Sequence, residues 1–261
     1  MKKYILITTT IFTIMATFAS CGSDDEEEAG LTYNDITITA GETHTIESGS
    51  NWQSEEPLIA SISNNIITAE RIGTARIYNE SASFNITVTP QYNLYNDPCM
   101  EWGASPSRVQ SFMNGHEQIS SKNSIVTYTG GKAAEAYAYM FENNRLTSSA
   151  VLVNAELYDE SLASFLLERY VPISIDEENY MFFFINIEQD MLVTLGLKTS
   201  GYTVYALIMY TPYNQSDAKT RVGLVGKMKE EVRKLDFVKP ADTPKADLII
   251  KTLKQKLTSK K

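Results

Sequence analysis

The sequence predicts a multidomain chain: an all-β sandwich, then an α+β domain of a helix plus three antiparallel strands repeated twice, then a helical C-terminal tail. Three observations carry that expectation. Short alternating apolar runs broken by turn residues fill positions 31–91. Two helical patterns, each followed by strand-like runs, fill 92–212. The remainder, 213–261, is strongly basic and apolar at helical spacing.

Lys2 and Lys3 open the chain, and an apolar run follows from Tyr4 to Phe18. That run is shorter than the roughly 20 residues of a membrane-spanning helix and ends in small residues, the pattern of a secretory signal peptide. It assigns residues 1–20 to the signal and 21–30 to a tether. Phe18-Ala19-Ser20-Cys21 resembles the lipobox of bacterial lipoproteins, with Phe18 standing where leucine is usual. The resemblance implies cleavage before Cys21, diacylation of its sulfur and acylation of the new N-terminus. Each methylene buried in the bilayer contributes about 0.8 kcal/mol, so several chains anchor a protein firmly. An ordinary signal peptide that happens to precede a cysteine is the alternative. The acidic run Asp24–Glu28 reads as a solvated spacer. It also resembles the Ser-then-acidic export signal that sends lipoproteins to the surface of one group of Gram-negative bacteria. Ser23, rather than an aspartate, follows two places after the cysteine. The expected location is the outer membrane, lipid-anchored and facing the exterior.

Charge divides the chain. Up to Pro212 there are 10 basic and 26 acidic residues; from Tyr213 onward there are 13 basic and 6 acidic. An acidic body argues against a nucleic-acid partner. Once Cys21 carries lipid, Cys99 has no thiol left to pair with, so no internal disulfide is expected. Two histidines, His44 and His116, are too few for most zinc sites, and neither a metal nor any other cofactor is expected.

The elements of 31–91 follow in order. "DITITAGETHTIE" alternates around Gly41, "LIASISNNIITA" turns at Asn64-Asn65, and "SASFNITVTP" closes the segment. Gly41, Trp52-Gln53-Ser54, Ala60-Ser61-Ile62, Ile67-Thr68-Ala69, Gly73-Thr74-Ala75 and "FNITVTP" resemble a bacterial Ig-like domain of the second group. That resemblance implies a spacer or adhesive module with Trp52 in its core.

In 92–212, Ser105 caps a helix that has Pro106 at its first position and Gly115 beyond its end. "SIVTYTG", "AEAYAYMFE" and "LTSSAVLVN" follow as strands. "DESLASFLLERY" is the second helix, and "YMFFFINIE", "MLVTLGLKT" and "YTVYALIMYTP" complete the repeat. Asn143-Asn144, Gln189-Asp190 and Ser200-Gly201 are hairpin turns. Gly103, Ser105, Val109, Tyr139, Phe141 and Leu146 resemble a short motif of exported lipoproteins and, more distantly, the β-lactamase-inhibitor-like fold of small outer-membrane assembly lipoproteins. This implies a protein-interaction fold. In the tail, "AKTRVGLVGKMKEEVRKLDF" and "KADLIIKTLKQKL" are helical patterns; the second places Ala246, Ile249, Leu253 and Leu257 on one face. Such a helix packs on its own acidic body, or else lies on an anionic membrane or a partner.

Each candidate for chemistry lacks a part. His116-Glu117 begins a zinc-protease pattern, but Ser120 stands where the second histidine must ligate. Gly130-Gly131-Lys132 lacks the first glycine of a phosphate loop, with Val126 there, and Ala133 replaces the hydroxyl residue. Asp97, Glu101 and the run Asp176-Glu177-Glu178 supply carboxylates for a glycoside hydrolase, the remaining enzymatic alternative, but neighbours on one loop rarely face each other across a sugar. No catalytic residue is assigned. The expected function is a non-catalytic binding or adhesion module for a glycan or a protein; the alternative is an envelope assembly or inhibitor protein that grips another protein with its sheet. Tyr137, Tyr139, Tyr202, Tyr205 and Tyr210 are the candidate ligand contacts, because aromatic faces stack on sugars.

Overall fold

A computed structural model describes residues 33–122, 124–176, 180–200, 203–213 and 244–259, all within one compact unit that begins at Tyr33. The signal, Cys21 and the acidic run lie outside the described residues, as do Tyr202 and the first helical pattern of the tail.

The first part holds β1 (Ile36–Thr39), β2 (Thr43–Thr45), β3 (Gln53–Ser54), β4 (Ala60–Ser63), β5 (Ile66–Ala69), β6 (Gly73–Tyr78) and β7 (Ser83–Thr89). They form two small sheets, ordered β1-β7-β6-β3 and β2-β5-β4. Alternation fixes the inward set, since side chains of a strand point to opposite faces in turn. Phe84, Ile86 and Val88 of β7, with Ala75 and Ile77 of β6, are buried in a shared core. Trp52 is in that core, 4.9 Å from the Tyr33 ring and 5.6 Å from Phe84, and its Nε1 donates to the Ser48 carbonyl at 3.1 Å. Asn64 and Asn65, with φ of 52° and 61°, make the tight turn between β4 and β5.

The second part runs α1 (Pro106–Phe112), β8 (Gln118–Lys122), β9 (Ile125–Gly131), β10 (Ala134–Glu142), β11 (Arg145–Asn154), α2 (Ala155–Leu167), β12 (Val171–Asp176), β13 (Met181–Ile185), β14 (Met191–Ser200) and β15 (Thr203–Pro212). The last described element is α3 (Pro244–Ser259). Among the described residues fifteen strands stand against three helices, so the protein is mainly β and not an α+β repeat with a helical tail. The helix-plus-three-strand unit does not form, because β8 and β12 each put a fourth strand after the helix. The eight strands make one antiparallel sheet, ordered β12-β13-β14-β15-β11-β10-β9-β8, continuous through the pairing of β11 with β15. The last helix, α3, packs on α2 and sends Ile249 and Ile250 into the main core.

Local chemistry explains the helices. The Ser105 hydroxyl accepts from the Arg108 amide at 3.3 Å, capping α1 with Pro106 at its start. In α2 the Asn154 side chain accepts from the Glu156 amide at 3.1 Å, and Tyr158 is non-helical at φ −133°. The kink explains why three-and-four spacing is legible only from Asp159. Beyond it, Leu162, Phe165 and Leu166 are fully buried, each contributing about 1.5–3 kcal/mol.

Candidate functional site

The sheet has two unlike faces. On the first, large residues recur at every second position: Tyr137, Tyr139 and Phe141 of β10, Val193, Leu195 and Leu197 of β14, Phe182 and Phe184 of β13. Helices α1, α2 and α3 contribute Val109, Phe165 and Ile249 to the same layer. The segment from Tyr92 to Ala104 straps this layer. Gly103 donates to the Leu146 carbonyl and Leu146 to that of Ala104, both at 2.9 Å, and Gly103 takes φ +83°, which favours glycine.

Three of the five tyrosines expected to meet a ligand belong to this interior. Tyr137, Tyr139 and Tyr210 are 2%, 0% and 0% exposed, so none has a ring face to offer a sugar. Their hydroxyls fasten the strap instead. Tyr137 donates to the Asn96 carbonyl at 3.0 Å, and Tyr139 accepts from the Cys99 amide at 3.3 Å while donating to Met113 Sδ at 2.9 Å. Tyr210 pairs with Tyr95 at 2.8 Å. Burial pushes all four phenols, Tyr95 included, above the ordinary tyrosine range. Cys99 is equally enclosed: its carbonyl accepts from the Ser149 hydroxyl, and burial pushes its thiol up, away from the thiolate a nucleophile needs.

The second face carries the alternate residues, and its composition is graded. One row, read across paired strands, is Phe183, Thr194, Met209, Ala150, Ala138, Thr127. Phe183, Leu192, Met209 and Ala150 are buried, in a cluster whose described members are sheet residues plus Tyr213. Thr194 is buried with them, and its Oγ1 has no hydrogen-bond partner among the described residues. The next row is half-buried: Leu207, Leu152, Ala136 and Thr129. Tyr205 is half-buried on this face too, paired with Lys198 and Asn154. Of the five candidate tyrosines it is the one that the described structure leaves on a partly open surface. Leu152, Leu207 and Ala136 were not singled out from sequence, although the large–small alternation of "YAYMF" and "YALIM" marks the two faces.

Glu101 and His116 are engaged in structural contacts. Glu101 takes both guanidinium bonds of Arg108, at 2.7 and 2.5 Å, which hold its carboxyl below the usual range. His116 Nδ1 donates to the Thr129 carbonyl at 2.7 Å, and its ring stands edge-on to Tyr137. Gly130 and Gly131 end β9, and the turn to β10 is Lys132-Ala133, with Lys132 at φ 55°. A Cβ on Gly130 would lie 1.9 Å from the Ala134 carbonyl oxygen, and Lys132 Nζ reaches Asn93 at 3.1 Å. Asp176 ends β12, while Glu177 and Glu178 lie outside the described residues. Among the described residues no three His, Cys, Asp or Glu side chains group closely enough for a metal ion, and no helix is long and apolar enough to cross a membrane.

Fold and surface together define a mainly β protein: a small two-sheet sandwich joined to an eight-stranded antiparallel sheet with one sealed and one partly open face. No protein-family model matches the chain, and no curated protein matches it. Among solved structures, the crystal structure of TTHA0849 from Thermus thermophilus is similar at 9% identity over 58% of this chain and 81% of that one. Its TM-score is 0.13, at which the likeness carries no argument.

Proposed function

We propose that the protein is a lipid-anchored envelope protein that binds a macromolecular partner, without catalysis, through the second face of its eight-stranded sheet. The half-buried row of Leu207, Leu152, Ala136 and Thr129 carries this reading. Apolar and small side chains in register across four strands offer a broad surface suited to a protein, since interface cores are depleted in charge. Tyr205 supports a second reading, in which that ring stacks on a glycan.

A photo-crosslinking residue placed at Leu207 in the full chain, in cells, tests the site; Phe112, exposed on α1, is the control position. A discrete protein adduct at Leu207 and none at Phe112 is the expected result. Adducts at Phe112 alone contradict it. Saturable binding of the purified chain to xylan or laminarin, lost in Tyr205→Ala, favours the glycan. The anchor is tested separately: palmitate label enters the chain, and Cys21→Ser abolishes the label and releases the protein from membranes.

A further inference from the structure

A connector between independent modules ordinarily runs in water, with its backbone groups solvated. This one does not. Beyond β7, the amides of Gln91 and Tyr92 donate to the two oxygens of a single carboxylate, Glu168, at 3.0 and 3.1 Å. Glu168 is the C-terminal cap of α2 and is 5% exposed. The neighbouring Arg169 donates to the Tyr92 carbonyl at 3.0 Å and to that of Phe165 at 3.1 Å, bonds Glu168, and lays its guanidinium over the Phe165 ring at 3.8 Å.

The sandwich reaches the same end of α2, at Glu168 and Tyr170, from its own side. Arg71, between β5 and β6, is 8% exposed. Its Nε donates to the Tyr170 carbonyl at 3.3 Å and its Nη1 to that of Leu58 at 3.1 Å. Next to it, the Ile72 amide donates to the Glu168 carbonyl at 2.8 Å. Ile187, in the turn from β13 to β14, packs against the sandwich core. The end of α2 therefore holds both the connector and the β5–β6 loop. A buried arginine or carboxylate is tolerable only while its partners stay in place, because losing one partner leaves a desolvated charge. Parting the two halves by a few ångströms would strip the buried Arg71 of the Tyr170 carbonyl and break the Ile72–Glu168 backbone bond.

We infer that the sandwich and the eight-stranded sheet open and unfold as one body, locked by Arg71 and Glu168, so that the sandwich is a fixed buttress and not a hinged spacer. Hydrogen exchange on the full-length chain in detergent tests this. In the wild type, the amides of Ile77 and Ile86 in the sandwich exchange by the same global opening as those of Val193 and Ile208 in the sheet. In Arg71→Ala/Glu168→Ala, protection of Ile77 and Ile86 falls about ten- to a hundredfold below that of Val193 and Ile208, the range set by charged hydrogen bonds. If the double variant does not fold, Glu168→Gln, which keeps one acceptor oxygen, is read for the same separation. Separate openings in the wild type overturn the inference. So does a single shared opening that survives the substitutions.

Discussion

On β10, Tyr137, Tyr139 and Phe141 point into the layer beneath the helices, while Ala136, Ala138 and Met140 between them point the other way. The same backbone thus serves two surfaces of opposite character. The helix-covered face is thick, aromatic and closed, and its hydroxyls are used to fasten the Tyr92–Ala104 strap. The other grades from a buried cluster around Phe183 to a half-buried row around Leu152. The difference teaches that abundant tyrosine in this chain reflects internal fastening more than ligand capture: a phenol buries a large ring and still delivers one hydrogen bond where the backbone of a strap needs it.

Substitutions separate the two faces by size of effect. Phe165→Ala removes a fully buried ring that packs 4.5 Å from Tyr95, and destabilises by about 3–5 kcal/mol in denaturant unfolding. Alkaline pH acts through the same layer. The buried phenols titrate above 10.0 when folded and near it when unfolded, so the stability they contribute is fully present below about pH 10. It is lost as pH rises through the raised folded values, and the denaturant midpoint falls accordingly. Tyr139→Phe leaves the Cys99 amide without its acceptor and costs about 1–3 kcal/mol.

On the second face the signs and sizes change. Thr194→Val removes a buried hydroxyl that has no partner among the described residues and raises stability by about 1 kcal/mol, seen as a higher denaturant midpoint with an unchanged slope. Ala136→Ser alters stability by less than about 0.5 kcal/mol, as expected of a partly open position, and a larger loss would place it in a sealed core.

Much of this was legible in the chain. Ser105 and Pro106 start α1 as their chemistry requires, and Asn143 and Asn144 take the positive φ of 50° and 59° that a two-residue hairpin demands. The two concealed strands, β8 and β12, are the outer edges of the large sheet. "QISSK" has little to bury, while "VPISID" does alternate Val171, Ile173 and Ile175 with Pro172, Ser174 and Asp176, but its proline, which an edge strand tolerates, argues against an inner strand. Which face of β10 and β15 lies inward was equally concealed, because period two fixes alternation but not direction. The joint at Glu168 could not be read at all, since its partners Gln91 and Tyr92 lie 77 and 76 residues away and contribute only backbone amides.

One face of the sheet is sealed and the other partly open in the native protein, and thiol labelling measures this directly. In a Cys99→Ala background, cysteine replaces either Ala136 on the second face or Val151, fully buried on the first. Ala136→Cys is expected to react with a maleimide under native conditions, while Val151→Cys reacts only as fast as the protein unfolds. Equal protection at both positions would mean that the second face is covered throughout, and would contradict its role as the binding surface.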